Sequence, residues 1–312
     1  MPVIVADDIG KTAGGKRILS HVGFEVGEGE IFGVLGPNAS GKTTLLRIVG
    51  TMLLPDEGKC EVFGMDVVKR DRAVRRLLGF VSPELNYHDR FTAAEIANFY
   101  RRVAGVDVER VREIVKKCGV SNIWNKWWGY LSYGERVILT VAVALGRHPK
   151  LLLLDEPTAN LDVANRIVLS DLMIEEGIVS LVATHDMSFA RKTIDRCIVL
   201  NEGRIVLSGG VDDLIKKLKF KTAIEASFGS NQSDKTLNSL CNSYRRKPDS
   251  SDVTFYVQKD EDKIDILRDL VKMSSLTGVT MSEPSVEDLI FWAKSQNAQA
   301  EKDECAPRSR SN

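Results

Sequence analysis

The 312-residue chain has no apolar run approaching the ~20 residues that a transmembrane helix requires. Its first residues, MPVIVADDIGK, lack a basic region followed by a long apolar core, so they do not resemble a secretory signal. The five cysteines never occur as C-x-x-C, which argues against a zinc site or a disulfide framework. We therefore expect a soluble cytosolic protein with reduced thiols, whose membrane role, if any, requires a partner chain.

Charge of one sign is also missing, because Lys and Arg together number 43 and Asp and Glu together number 43. A nucleic-acid-binding protein usually carries a basic excess or a basic face. The basic run Lys69 to Arg76 is more typical of a solvated helix face than of a docking patch. No nucleic-acid partner is expected.

The most informative segment that is present is GPNASGKTT, which matches G-x-x-x-x-G-K-[ST] at every fixed position. Its two glycines allow backbone conformations in which successive N–H groups converge on phosphate oxygens. The lysine supplies a positive charge to the β- and γ-phosphates, and the hydroxyl that follows is a neutral ligand for Mg²⁺. The sequence thus predicts a site for a nucleoside triphosphate and magnesium. Its expected phosphate contacts are Gly36, Pro37, Asn38, Ala39, Ser40, Gly41, Lys42, Thr43 and Thr44.

Strand-like and helical segments alternate as far as about residue 215, which predicts an α/β core with strands buried on both faces. The strand-like runs are IFGVL, LGFVS, LLLLD, IVSLVAT and RCIVLNEGRIVL. After Leu218 the pattern changes, and we expect a second, small α/β unit. Its predicted elements are a strand at 219–227, a helix at 236–244, a strand at 253–258, a helix at 262–274, a strand at 277–282 and a helix from about Ser285. The residues 297–312 are expected to be a disordered tail.

A phosphate loop is shared by kinases, GTPases and many ATPases, so three further motifs matter. LSYGE occurs at Leu131 to Glu135, LLLLDEPTANLD at Leu151 to Asp162, and ATHD ends at Asp186. In this order and at these separations the motifs resemble the ATP-binding cassette (ABC) family. The resemblance implies a P-loop NTPase cassette over 1–218, with a mixed sheet flanked by helices and a helical subdomain at about 87–130. A small α/β extension would occupy 219–296.

The resemblance also implies residue roles. Glu156 would be the catalytic carboxylate, and His185 the switch histidine that contacts the γ-phosphate. Asp155, ending a buried strand, is placed to hold Mg²⁺ together with Thr43. The signature LSYGE would contact ATP bound by a second copy of the chain, and Asp162 would lie across that dimer seam. The signature residues are Leu131, Ser132, Tyr133, Gly134 and Glu135.

Four positions depart from the family pattern. Ala13 occupies the place of the aromatic ring that usually stacks on adenine, so adenine stacking is weak or is supplied elsewhere. Pro83 occupies the position of the loop glutamine, and Glu84 is a candidate for its magnesium-facing role. Tyr133 and Glu135 replace a small residue and a glutamine, while Ser132 and Gly134 are retained.

The extension, ending in EPSVEDLIFWAK, resembles that of daunorubicin-resistance type exporter ATPases. This resemblance implies a homodimeric, ATP-hydrolysing subunit of an exporter, bound to the cytoplasmic face of the membrane through a separate permease chain. The extension would then dimerise or regulate the ATPase. Two alternatives remain: a soluble ABC ATPase outside transport, and a regulatory ABC module with impaired hydrolysis.

Overall fold

The computed structural model of the chain describes residues 2–82, 87–218, 220, 222–241, 244–247, 250–257 and 260–294. The positions Pro83 and Glu84, and the predicted tail 297–312, lie outside the described residues. The chain forms two compact units that divide between Val211 and Asp212.

Ten strands occur among the described residues of the first unit. They are β1 (Ile4–Ala13), β2 (Lys16–Val26), β3 (Ile31–Leu35), β4 (Glu57–Val62), β5 (Met65–Asp66), β6 (Leu78–Val81), β7 (Leu151–Asp155), β8 (Val179–Thr184), β9 (Arg196–Asn201) and β10 (Arg204–Gly210). One sheet has the order β10-β9-β3-β8-β7-β6 and is parallel except for the antiparallel edge strand β10. A second, antiparallel sheet has the order β2-β1-β4-β5.

The helices that accompany these sheets are α1 (Lys42–Val49), α2 (Asp71–Leu77), α3 (Ala93–Ala104), α4 (Val108–Lys117), α5 (Tyr133–Leu145), α6 (Val163–Glu176), α7 (Met187–Thr193) and α8 (Val211–Lys217). The α/β cassette with a mixed sheet is confirmed. The predicted helical subdomain contains α3, α4 and two short 3₁₀ turns. The helix after the phosphate loop is shorter than TLLRIVGTML suggested, since it ends at Val49 with Gly50 as its C-cap.

Both sheets of the first unit contribute to one apolar core, which α1 joins through Leu45, Leu46 and Ile48. The strands β3, β7 and β8 are buried at every residue, which explains their unbroken apolar sequences. This packing fixes the carboxyl ends of three neighbouring parallel strands at one edge, where ligands bind in open α/β sheets.

The second unit has a four-stranded antiparallel sheet of order β12-β13-β11-β14. Its strands are β11 (Thr222–Phe228), β12 (Tyr244–Arg246), β13 (Val253–Val257) and β14 (Leu276–Ser282). Its helices are α9 (Asp234–Leu240), α10 (Asp260–Val271) and α11 (residues 286–294). The helix predicted at 236–244 ends earlier, at Leu240, because Tyr244 already belongs to β12 and pairs with Phe255.

The two compact units divide at the start of α8, which follows β10 without an intervening loop, and the domain bounds 1–218 and 219–296 remain predictions. Within the described ranges, no helix has both the length and the apolar character that crossing a bilayer demands.

Candidate functional site

The phosphate loop connects the buried strand β3 to α1, in the strand, loop, helix order that the motif requires. Gly41 has φ 109°, a left-handed conformation that favours glycine. A Cβ at Gly41 would lie 2.7 Å from Leu19 Cδ2, and one at Gly36 would lie 2.4 Å from the Leu200 carbonyl oxygen. Both glycines are therefore required for space, and Gly41 is required for its conformation as well.

The other residues of the phosphate loop differ in their exposure. Asn38 and Ala39 are exposed at its tip, Pro37 is half-buried and Ser40 is buried. Thr43 and Thr44 lie in the first turn of α1, whose N-terminal N–H groups and dipole favour an anion.

Lys42 is only 5% exposed, and its ammonium group points back over the loop. Lys42 Nζ donates to the carbonyl oxygens of Gly36 at 2.7 Å and Pro37 at 2.9 Å. It also lies 2.9 Å from Glu156 Oε1, although the angles at these atoms fall outside those of a hydrogen bond, so this contact is coulombic. A buried ammonium thus faces the catalytic candidate directly.

Asp155 and Glu156 stand at the carboxyl end of β7. Thr43 Oγ1 donates to Asp155 Oδ1 at 3.0 Å, which joins two residues separated by 112 positions in sequence. Burial raises the pKa of Asp155, and the Thr43 hydrogen bond opposes that effect only in part. A hydroxyl and a carboxylate therefore converge where the sequence predicted the magnesium ligands.

Glu156 has an uncommon backbone conformation, with φ 47°. Its N–H donates to the Ala183 carbonyl oxygen of β8 at 2.8 Å, which holds this turn in place. On the far side of the carboxylate, Oε2 lies 2.9 Å from Nδ1 of His185, whose ring is about half exposed. Lys42, Glu156 and His185 thus form one continuous polar chain.

The signature residues start α5. Ser132 is the exposed N-cap, and its hydroxyl accepts from the Glu135 N–H at 3.2 Å. The Glu135 carboxylate accepts from the Ser132 N–H at 2.8 Å and also from Lys126 Nζ at 3.2 Å. This capping box accounts for a glutamate at a position where the family usually has glutamine.

Leu131 is buried, while Tyr133 lines a small cavity of about 50 Å³ that also borders Asp155 and Glu156. Partial burial raises the pKa of Tyr133. Among the hydrogen bonds and ion pairs of the described residues, none joins Ser132 or Gly134 to Lys42 or Thr43. The phosphate loop and the signature are separate surfaces of one chain.

Two other predicted positions are placed as follows. Asp162 is exposed and caps α6 by accepting from the Asn165 N–H at 2.8 Å. Ala13 is exposed at the end of β1, where it pairs with Lys16 across a two-glycine turn.

Sequence reasoning missed the contact between Lys42 and Glu156, the left-handed backbone of Glu156, and the role of two residues, Asn165 and Arg166, in the first turn of α6. The spacing of Asp162 and Asn165 is a capping signal that could have indicated one of them. We find no sequence signal for the other contacts.

The fold and this site together define a P-loop nucleoside-triphosphatase. The family model for the ABC transporter matches residues 19–159. The chain belongs to the ABC transporter family of ATP-binding proteins, whose ATP-binding subunits are ATPases. It therefore binds and hydrolyses ATP as a subunit of a transporter, which implies a membrane permease partner.

The relatives include both exporters and importers. The chain is 31% identical to the Nod factor export ATP-binding protein I of Rhizobium sp. (strain N33), over 90% of this chain and 93% of that one. It is 32% identical to the daunorubicin resistance ATP-binding protein DrrA3 of Streptomyces coeruleorubidus, over 68% and 69%. It is 34% identical to the methionine import ATP-binding protein MetN of Caulobacter vibrioides, over 68% of each.

Solved structures agree on the fold. The ATP-binding subunit of an ABC transporter superposes with a TM-score of 0.62 at 20% identity, covering 69% of this chain and 92% of that chain. The shared region corresponds to a single cassette.

Proposed function

We propose that this chain is the ATP-hydrolysing subunit of an export-type ABC transporter, working as a head-to-tail homodimer with Mg²⁺ and moving a separate permease. The observation that carries the proposal is the polar chain Lys42–Glu156–His185 beside the Thr43–Asp155 pair. These groups have the chemistry that phosphoryl transfer to water requires: a cation, a carboxylate base and a hydroxyl–carboxylate pair.

Glu156 is the proposed general base, because its carboxylate is fixed by β8 on one side and by His185 on the other. His185, still about half exposed, is free on its second nitrogen to meet the γ-phosphate. Lys42 neutralises phosphate charge. Water positioned by Glu156 would then attack in line with the leaving oxygen.

The donor set fits magnesium. Thr43 and Asp155 supply two oxygen donors at one point, and Mg²⁺ typically takes one or two protein oxygens together with phosphate and water. No group of three or more His, Cys, Asp and Glu residues suited to a metal occurs in the described part of the chain, which agrees with such a sparse protein contribution. When bound, the ion would neutralise charge on the phosphates. Glu84 remains a proposed additional ligand.

A second copy is proposed because, within the described residues, no hydrogen bond or ion pair joins Ser132 or Gly134 of the signature to Lys42 or Thr43 of the phosphate loop. Ser132 caps a 13-residue helix, so the positive end of the α5 dipole points beyond an exposed hydroxyl. A nucleotide held by another subunit would complete that site, and Asp162 would lie at the seam.

The second unit supports a role in dimerisation. Its two sheet edges differ: β12 is three residues long and contains two arginines, which protects an edge from pairing. The other edge, β14, is seven residues long, uncharged and exposed along nearly its whole length. Its Val279 and Met281, 39% and 54% exposed, lie opposite Ala226 and Ile224 of the apolar sheet face. Antiparallel pairing of β14 with its counterpart in a second copy would cover both.

This role is tested with the full-length protein without nucleotide. We expect Val279→Lys to shift the mass measured by light scattering from dimer toward monomer. Val271→Lys, at an exposed valine of α10, is the control and should leave the mass unchanged. A wild-type protein that is monomeric without nucleotide would contradict the role.

ATP turnover of wild type and Glu156→Gln tests the catalytic assignment. We expect turnover to fall by at least about 100-fold, because the neutral amide cannot accept the proton of the water. Combined with Val279→Lys, which removes the proposed β14 contact, Glu156→Gln should also elute as an ATP-dependent dimer from a sizing column. Glu113→Gln is the matched control, since Glu113 is an exposed glutamate of α4 that pairs with Arg110. Undiminished ATP turnover in Glu156→Gln would contradict the assignment of Glu156 as the general base.

Export is the finer part of the proposal, supported by the relatives that cover most of the chain and carry export in their names. Isolation of the native complex identifies the permease that copurifies. Transport assays in vesicles containing that complex then give the direction, and ATP-dependent uptake of cargo in the import sense would contradict export.

A further inference from the structure

The first turn of α6 connects three of the motifs. Asn165 contacts Asp162 twice: its N–H donates to Oδ1 at 2.8 Å, and its side-chain Nδ2 donates to Oδ2 at 3.0 Å. Both oxygens of the Asp162 carboxylate are therefore held by one residue. A change in the position of Asn165 must reorient Asp162.

The same Asn165 side chain packs against the signature. A Cβ at Gly134 would lie 2.4 Å from Asn165 Nδ2 and 2.5 Å from Asn165 Cγ. The glycine is thus the only residue that lets α5 approach the amide this closely. Its neighbour Ser132 is the N-cap of the same helix, so the amide supports the turn that carries the signature.

The next residue, Arg166, points to the other loops. Its Nε donates to the Leu161 carbonyl oxygen at 3.0 Å, just before Asp162. Its Nη1 lies 3.1 Å from Asp186 Oδ2, and Asp186 directly follows His185. Asp186 also caps α7 by accepting from the Phe189 N–H at 3.1 Å. The guanidinium therefore ties the loop of Asp162 to the loop of His185.

We infer that Asn165 and Arg166 are positioning residues that couple the two ATP sites of the dimer within each subunit. The inference rests on the proposed function, because it takes Ser132 and Gly134 to meet the partner's ATP and His185 to meet the chain's own. When the partner's nucleotide binds and the signature moves, Asn165 moves with it and reorients Asp162. Arg166, which contacts the loop of Asp162, then moves Asp186 and with it His185 and Glu156.

The coupling is local and needs no long path, since each step is a direct contact. Arg166 is suited to it because one planar guanidinium makes both bonds at fixed relative geometry. Positive coupling between two equivalent sites raises the Hill coefficient above one, up to the number of sites. Removing a link should lower cooperativity without removing the groups that bind ATP.

The test measures ATPase rate against ATP concentration for the full-length dimer, together with affinity of a fluorescent ATP analogue at protein concentrations low enough for monomers. For the wild type we expect a Hill coefficient between about 1.5 and 2. For Arg166→Gln and for Asn165→Ala it should fall to about 1, with monomer affinity within about twofold of wild type. Arg166→Lys should restore only part of the cooperativity, because lysine cannot make both bonds.

Two further variants separate positioning from folding. Asp186→Asn keeps the α7 cap but removes the charge that faces Arg166, so it should reproduce the Arg166→Gln effect, and the double variant should add nothing. Arg110→Gln removes another half-exposed arginine whose guanidinium pairs with Glu176, and it should leave the Hill coefficient unchanged.

An unchanged Hill coefficient in Arg166→Gln, or a wild-type coefficient of about one, would overturn the inference while leaving the proposed function intact. An equal fall in Arg110→Gln would also overturn it, because the effect would then follow general destabilisation. A wild-type protein without turnover would overturn the proposed function and, with it, this inference.

Discussion

The phosphate-loop side and the signature side of the cassette differ in how complete they are within one chain. On the phosphate-loop side, Lys42 and Asp155 are 5% and 3% exposed, and both already have partners. On the signature side, Ser132 is exposed and Tyr130, just before it, is 75% exposed. The phosphate-loop side is buried and already paired within the chain, whereas the signature side is exposed and available to a partner.

This difference separates two kinds of function within one subunit. Groups that hold charge in a buried place need their partners at hand, because an unpaired buried charge is costly. Groups that join the site only on closure must stay solvated until then. Variants on the phosphate-loop side should therefore lose ATP binding by the monomer, and variants on the signature side should lose contact between the two subunits.

The largest effect is expected from Lys42→Ala. Truncation removes the buried cation that meets the phosphates and leaves Glu156 with His185 alone, so ATP affinity of the monomer should fall by about 1000-fold. Equilibrium binding of a fluorescent ATP analogue measures the loss. Lys117→Ala, which removes an ion pair with Glu175 away from the site, should bind normally. Near-normal affinity of Lys42→Ala for ATP would contradict the assignment of monomer ATP binding to the phosphate-loop side.

The next effect should come from Gly134→Ala. The added methyl group would collide with the Asn165 amide and displace the start of α5, so ATP-dependent closure of the two cassettes should weaken and turnover fall by about 100-fold. Affinity of the monomer for ATP should not change. Gly229→Ala, where the nearest atoms to a new Cβ lie 3.8 Å away, is the control. A loss of monomer binding would show that the signature serves its own chain.

The smallest effect concerns Asp155→Asn and pH. Burial raises the folded-state pKa of Asp155, so the ionised carboxylate lowers the stability of the nucleotide-free protein. This penalty is absent below the unfolded-state pKa of about 4, grows as pH rises through the folded-state pKa, and is constant above it. The variant should thus gain about 2 °C in Tm relative to wild type as pH rises, as measured by calorimetry.

The same calorimetric comparison of Tm can be made with and without magnesium. ATP with Mg²⁺ should raise the Tm of the wild type more than ATP alone does, and the variant should lose this difference. A Tm difference between the proteins that shrinks with rising pH would contradict the sign of the pKa shift.

The central strands could be predicted from sequence because β3, β7 and β8 are buried on both faces and therefore consist of continuous apolar residues. The antiparallel sheet was missed. Its long strands β1 and β2 are half exposed and interrupted by register shifts. Asp8 and His21 have φ of 53° and 54° within them, which breaks the alternation on which strand prediction depends.

The candidate site was predicted as a set of motifs, and the Thr43–Asp155 contact follows from the carboxyl ends of β3 and β7 lying at the same edge of one sheet, with β8 between them. The Lys42–Glu156 pair could not be predicted in the same way. It depends on the left-handed turn at Glu156 and on the direction of a long side chain, and neither leaves a pattern in the sequence. The roles assigned to His185, Asp162 and the signature remain predictions.

The contact between Lys42 and Glu156 has a further consequence for the order of events in a cycle. The Glu156 carboxylate lies where it would compete with a γ-phosphate for the Lys42 ammonium. With Glu156 as the proposed base, we expect ATP to displace its carboxylate from Lys42, so that the carboxylate turns toward water. Its return after the γ-phosphate has left would then give the reset of the subunit a driving force that requires no second ligand.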